Sequence, residues 1–171
     1  MQEPAFDIWL AQDYRFVADL LRFQARLLGR APRPAQHVLA GGLVALVDEL
    51  SWFEQRAAVR HIGLDARPLP ATTAYGRLLE CLDSADFPVA LTMLWALERT
   101  YLDAWSYALP GAPAYQEFVA HWTTPQFAVY VAALQAAADD GLCDQADIDA
   151  RFIEVLKAEI GFWDMAWEQA T

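Results

Sequence analysis

Phe6, Trp9, Leu10, Phe16, Val17 and Leu20 recur at spacings of three and four, which lines them up on one buried face of an α-helix. The stripe predicts a helix over residues 4–29. Pro4 suits its first turn, where a missing N–H costs nothing, and Gly29 stops it before the loop RAPRP. Leu39, Leu43, Leu46, Leu50 and Phe53 predict a second helix over 34–61, ended by Gly63. Beyond the Pro-punctuated stretch DARPLPATT, inward Tyr75, Leu78, Leu79 and Leu82 predict a shorter helix at about 72–83. Asp86 as N-cap and Pro88 in the first turn open the next, which Pro110-Gly111 closes. Helices at about 113–122 and 125–140 each start at a proline, and Gly141 ends the second. Asp144 or Asp147 caps a last helix running to about residue 168. Strand-like alternation is absent. The pattern implies an all-α, single-domain bundle of about seven helices, residues 1–171.

Four acids interrupt this pattern. Asp13 falls on the apolar face of the first helix, within WLAQDYRFV, and Glu49 sits beside Leu46, Leu50 and Phe53. Glu98 continues the row Leu91, Leu94, Trp95, Tyr101, Leu102 and Trp105; Glu159 lies between Phe152 and Val155 on one side and Phe162, Trp163 and Ala166 on the other. Burying an ionised carboxylate without partners costs several kcal/mol, so four such positions suggest a shared polar cavity. The plainer alternative for each is a place at the stripe's edge, or a pairing with Arg15, Arg56, Arg60 or Arg99. Seven tryptophans add an aromatic load that should mostly be core. A few could wall a pocket, and a flat aromatic wall with carboxylates suits a planar, amine-bearing heterocycle.

A chain of 171 residues that is 56% hydrophobic has enough apolar material for one sizeable core. Its formal charge of −11 repels phosphate backbones and anionic lipid, so neither nucleic acid nor a membrane surface is an expected partner. No apolar run approaches a membrane span and no secretion signal opens the chain, which implies a soluble, cytoplasmic protein. Cys81 and Cys143 are far apart and in no CxxC spacing; both read as reduced thiols, buried as small hydrophobes. No metal or cofactor is expected. A di-iron site wants Glu-x-x-His, but Trp52, Tyr101 and Trp163 stand three residues after Glu49, Glu98 and Glu159. A haem site wants an axial histidine in the first helix; His37, His61 and His121 lie elsewhere and read as surface or helix-end residues. Gly41-Gly42 falls inside a helix and reads as a mark of close helix packing.

The stretches WLAQDYRFV, ALVDELSWFE, PATTAY, LWALERTYLDAW, PAYQEFVAHWTTPQF and EIGFWDMAW, in this order and spacing, resemble the TenA family, the thiaminase II-like proteins of thiamin salvage. The resemblance covers nearly the whole chain; QDY and E-x-x-FWDMA carry it most specifically. It implies a haem-oxygenase-like helical bundle, assembled as a dimer or tetramer, that binds 4-amino-5-substituted-2-methylpyrimidines. By the same resemblance, Asp13 matches the acid that grips the pyrimidine's amino group and ring nitrogen, and Glu159 the acid-base group near the leaving group. Phe16 and Trp122 match pocket aromatics, and Tyr75, Trp95 and Phe162 are further expected lining residues. The nucleophilic cysteine of some members falls on Met93 here, while DELSWF and W-A-x-E-x-x-Y resemble the subgroup that lacks it and carries glutamates, here Glu49 and Glu98. Glu49 is expected at the substrate and Glu98 beside Glu159 in catalysis.

That subgroup is associated with aminopyrimidine hydrolysis, which releases 4-amino-5-hydroxymethyl-2-methylpyrimidine from 5-aminomethyl or formylaminomethyl precursors. A non-catalytic binder of a planar heterocycle, or a helical partner protein on the same bundle, is the alternative. The QD pair comes at residues 12 and 13, earlier than in family members that carry a covering first helix. A shortened N-terminus of this kind implies a more open pocket or one covered by a neighbouring subunit.

Overall fold

The computed structural model describes residues 2–139 and 145–169. Within them the chain forms seven α-helices and one 3-10 turn, with no strand. They are α1 (Glu3–Gly29), α2 (Arg33–Arg60), α3 (Pro70–Asp83), α4 (Phe87–Tyr107), α5 (Gln116–Trp122), α6 (Pro125–Asp139) and α7 (Gln145–Gln169), with the turn at Pro113–Tyr115. The all-α expectation holds, and most helix boundaries fall within a residue or two of the periodic stripes. Gly141, Cys143 and Asp144 lie outside the described residues, and Asp147 falls inside α7 rather than at its start.

Two compact units divide the chain: residues 1–85 with 157–171, and residues 86–156. In the first unit α1 packs along α2 and α3. The apolar stripe of α1 is buried throughout, from Phe6 and Trp9 to Leu27, against Leu39 and Phe53 of α2 and Leu79 and Leu82 of α3 among other core residues. Each such side chain contributes roughly 1.5–3 kcal/mol by leaving water. Gln24, also buried, donates from Nε2 to the Leu39 carbonyl of α2 at 2.8 Å, so the α1–α2 seam has a polar pin as well as an apolar one. In the second unit α4 packs on α5 and α6, burying Leu94, Leu97 and Trp105 with Phe118 and Leu134.

Several local expectations are corrected. The 113–122 helix is two pieces, because Tyr115 leaves helical geometry (φ −124°, ψ 2°) while its N–H bonds the Ala112 carbonyl at 2.8 Å. Asp86 stands at the N-cap of α4, yet its side chain makes no capping bond there. Cys81 is exposed, not buried, since it sits on the outer side of α3 away from Leu79 and Leu82. Of the Gly41-Gly42 pair only Gly42 is buried; a Cβ on Gly41 would meet open space. Trp9, Trp105 and Trp122 are core, but Trp167 is 53% exposed and Trp52, Trp95 and Trp163 are half-buried. His37 and His61 are exposed and His121 lies in the last turn of α5, the surface and helix-end places expected of them.

Helix α2 stops at Arg60, earlier than Gly63, because His61 takes a left-handed conformation (φ 59°, ψ 36°). The Ile62 N–H then returns to the Ala57 carbonyl at 2.9 Å, closing the last turn. A side chain in this region costs roughly 1–2 kcal/mol, which glycine avoids while losing some unfolded-state entropy. His61→Gly is therefore expected to raise stability by roughly 0.5–1 kcal/mol, read as a higher urea midpoint with an unchanged slope.

Candidate active site

The first unit brings together side chains from α1, α3 and α7. On α1 the helical repeat puts Asp13 and Phe16 one turn apart on the buried face, and Asp13 is only 1% exposed. On α3, Tyr75 occupies the inward stripe with Leu79 and Leu82. On α7, Glu159, Phe162 and Trp163 lie within one turn of each other, and Glu159 is 7% exposed.

These side chains meet around one carboxyl group. The Tyr75 hydroxyl donates to Glu159 Oε1 at 2.6 Å, a short bond buried from solvent. Phe16 lies with its ring centroid 4.6 Å from that of Tyr75, and Phe162 stands 5.7 Å from Phe16 and 6.1 Å from Tyr75. Trp163 supplies a second hydrogen bond to Glu159 and stacks on Trp9 at 5.1 Å. The carboxyl is thus wrapped in rings and bonded by neutral groups. Burial pushes its pKa up to about 7, against the smaller lowering effects of the Tyr75 and Trp163 bonds. At neutral pH such a group is poised to give or take a proton.

Phe16, Tyr75, Glu159 and Phe162 therefore form one cluster. Asp13 is buried one turn from Phe16, and Glu49 is half-buried on α2. Glu98, Trp95 and Trp122 belong to the second unit. There Glu98 is buried on α4, and Met93 is wholly inside. Trp122 packs at 4.4 Å against Trp105 and edge-on to Tyr101 at 5.7 Å; Trp95 stacks over Phe152 at 6.4 Å. Among the described residues no three His, Cys, Asp or Glu side chains are grouped to hold a metal ion, and no helix is long and apolar enough to cross a membrane.

The sequence reading missed Gln12. It is 3% exposed, and its amide bonds to the segment that leads into α3 and to the first turn of that helix. Its Oε1 accepts from the Leu69 N–H at 2.9 Å and from the Thr72 hydroxyl at 2.6 Å, while its Nε2 donates to the Arg67 carbonyl at 3.1 Å. The available signal was position: Gln12 lies three residues after Trp9 and four before Phe16, on the same buried stripe as the acid beside it.

Comparison with known proteins matches this chain over residues 1–169 to the TENA/THI-4/PQQC family. A probable bifunctional TENA-E protein from Glycine max is 32% identical over 179 residues, spanning 95% of this chain and 78% of that protein. The structure of a TenA homologue from Pyrococcus furiosus superposes with a TM-score of 0.90 at 30% identity, covering 97% of this chain and 85% of that one. A TenA family transcription regulator from Silicibacter sp. TM1040 superposes at 0.88 with 19% identity, covering 97% and 83%, and shares the fold. The all-α helical bundle is accordingly one shared with known TenA structures, and the chain belongs to the TENA/THI-4/PQQC family.

Proposed function

We propose that this protein is an aminopyrimidine hydrolase of thiamin salvage, cleaving the C–N bond of a 5-aminomethyl or formylaminomethyl pyrimidine to give the 5-hydroxymethyl product. The observation that carries the reading is a buried carboxyl, Glu159, poised near neutrality by its surroundings and held by Tyr75 among aromatic rings. The name of the Glycine max relative, a probable bifunctional TENA-E protein, is in keeping with an enzyme.

Hydrolysis needs a proton on the departing nitrogen and a water at the methylene carbon. In this reading protonated Glu159 gives its proton to the nitrogen as the C–N bond breaks. The resulting carboxylate then takes a proton from water as the water oxygen bonds to the methylene carbon. The carboxyl is restored, and ammonia and alcohol leave. Asp13, the buried acid of α1, accepts from the exocyclic amine of the ring, a charge-assisted contact that fixes orientation. Phe16, Tyr75 and Phe162 supply flat surface for the heterocycle.

Positioned acid-base catalysis contributes about 10²–10⁴ in rate, so Glu159→Gln should lower ammonia release from the aminomethyl pyrimidine by that order. Near-full activity of this variant would overturn the role. Ligand-induced thermal stabilisation of the wild-type protein by the hydroxymethyl pyrimidine, with no ammonia formed from the amino compound, would favour a binding protein instead.

The pKa makes two further outcomes explicit. Turnover that begins from the protonated acid falls as pH rises through about 7. Because the Tyr75 bond lowers that pKa, Tyr75→Phe moves the descending limb of the pH profile to higher pH. Stability follows the same sign: the folded state holds a proton on Glu159 at pH values where the unfolded chain, with a carboxyl near 4.5, has lost it. The stability tied to this protonation is complete below pH 4.5 and is lost as pH rises to about 7, a total on the order of 3 kcal/mol. Urea unfolding of Glu159→Gln should show this part of the pH dependence removed.

A further inference from the structure

The contacts of α3 fall into two levels one helical turn apart. At the first, Thr72 bonds Gln12 of α1 at 2.6 Å and its hydroxyl lies 3.4 Å from the Met165 sulfur of α7. At the second, Tyr75 packs on Phe16 of α1 and donates to Glu159 of α7. Gln12 and Phe16 are four residues apart on α1, Thr72 and Tyr75 three apart on α3, so each level joins corresponding turns of the two helices. The geometry points to Gln12 as a positioning residue that fixes the axial register of α3 on α1 and so holds the Tyr75 hydroxyl against Glu159.

The chemistry of the lower level supports this. The Leu69 N–H can only donate and the Arg67 carbonyl can only accept, so the orientation of the Gln12 amide is determined by its partners. Its oxygen uses both lone pairs and its nitrogen one hydrogen, all on the backbone entering α3 or on that helix's first turn. Apolar contacts such as Phe16 against Tyr75 tolerate sliding, whereas these bonds do not. The tolerance at the upper level is small. One residue of helix rise is about 1.5 Å, and a slip of that size lengthens and tilts the 2.6 Å hydroxyl–carboxyl bond: across the bond it takes the contact to about 3.0 Å, the edge of the usual range, and along the bond to about 4 Å, beyond it. Glu159 is bonded by Tyr75 from α3 and Trp163 from its own helix, both neutral, and none of the changes below replaces Asp13, the buried acid of α1.

The bearing on turnover rests on the hydrolase reading; the bearing on Glu159 does not. The test follows the Glu159 carboxyl directly, by infrared titration of protein carrying isotope-labelled glutamate with Glu159→Gln as the reference. It compares the wild type with Gln12→Leu, Thr72→Val, Tyr75→Phe and the double variant Gln12→Leu/Tyr75→Phe. Gln12→Leu and Thr72→Val should move the titration upward as Tyr75→Phe does, and the double variant should move it no further than Tyr75→Phe alone. In an active enzyme kcat should fall by up to about 10²-fold, with KM changed less. An unmoved titration in folded Gln12→Leu and Thr72→Val, or a double-variant shift equal to the sum of the singles, would overturn the proposal. Should Gln12→Leu not fold, Thr72→Val, which exchanges one hydroxyl for a methyl, decides it alone. If the wild type releases no ammonia while the titration shifts as described, the hydrolase reading fails and the register role stands.

Discussion

A carboxyl group withdrawn from water and bonded only by neutral donors is the constraint on which the first unit turns. Several other acids of this chain are held by cations: Arg60 reaches Asp7 at 2.6 Å, and Arg99 reaches Asp103 at 2.8 Å. Pairing of that kind favours the ionised form. Glu159 instead meets a phenol and an indole, whose hydrogen bonds lower its pKa less than burial raises it. Exposed pairs such as Asp19–Arg22 contribute roughly 0–1 kcal/mol. The displaced equilibrium of Glu159 is a larger quantity, and its sign opposes stability above neutral pH. The same displacement leaves the group able to give or take a proton near neutral pH.

That displacement is sustained by packing. Phe16, Tyr75 and Phe162 exclude water from the carboxyl, and Trp163 is braced by its stack on Trp9. Every ring comes from a helix whose inward residues are mostly buried aliphatics and aromatics, so the cluster inherits its rigidity from the same stripe that forms the core. Replacing any of these rings with a small side chain would open a cavity beside the carboxyl, and water entering it would lower the pKa as well as the stability.

Much of this was legible in the sequence. The stripe of α1 marked Asp13 as buried because periodicity alone fixes which residues share a helix face. The same rule found Glu159 and Tyr75. What periodicity does not carry is the direction of a polar side chain within a face. Gln12 lies on the stripe and stands out in the sequence only as part of the QD motif, because an amide leaves no charge to account for; its partners, the Leu69 N–H and Arg67 carbonyl, are backbone groups with no sequence signature. Cys81 was misplaced because a cysteine's usual burial outweighed its position off the line of Leu79 and Leu82. The end of α2 was misread for a similar reason: glycine is the common left-handed residue, but here His61 takes that conformation two positions earlier.

The two kinds of contact also divide the work of folding and function. A helix of 14 residues such as α3 is marginal alone in water, so its existence depends on burying Tyr75, Leu79 and Leu82 against its neighbours. Burial rewards any arrangement that removes apolar area and therefore sets whether α3 docks. A few directional bonds at its first turn set where it docks. The Tyr75–Glu159 bond depends on the second property more than the ring packing does, since its length and angle are both set by where α3 docks, while a ring displaced by an ångström still excludes water. The polar residues at the start of α3 are small in energy beside the core, and the geometry of the carboxyl is nevertheless theirs to determine.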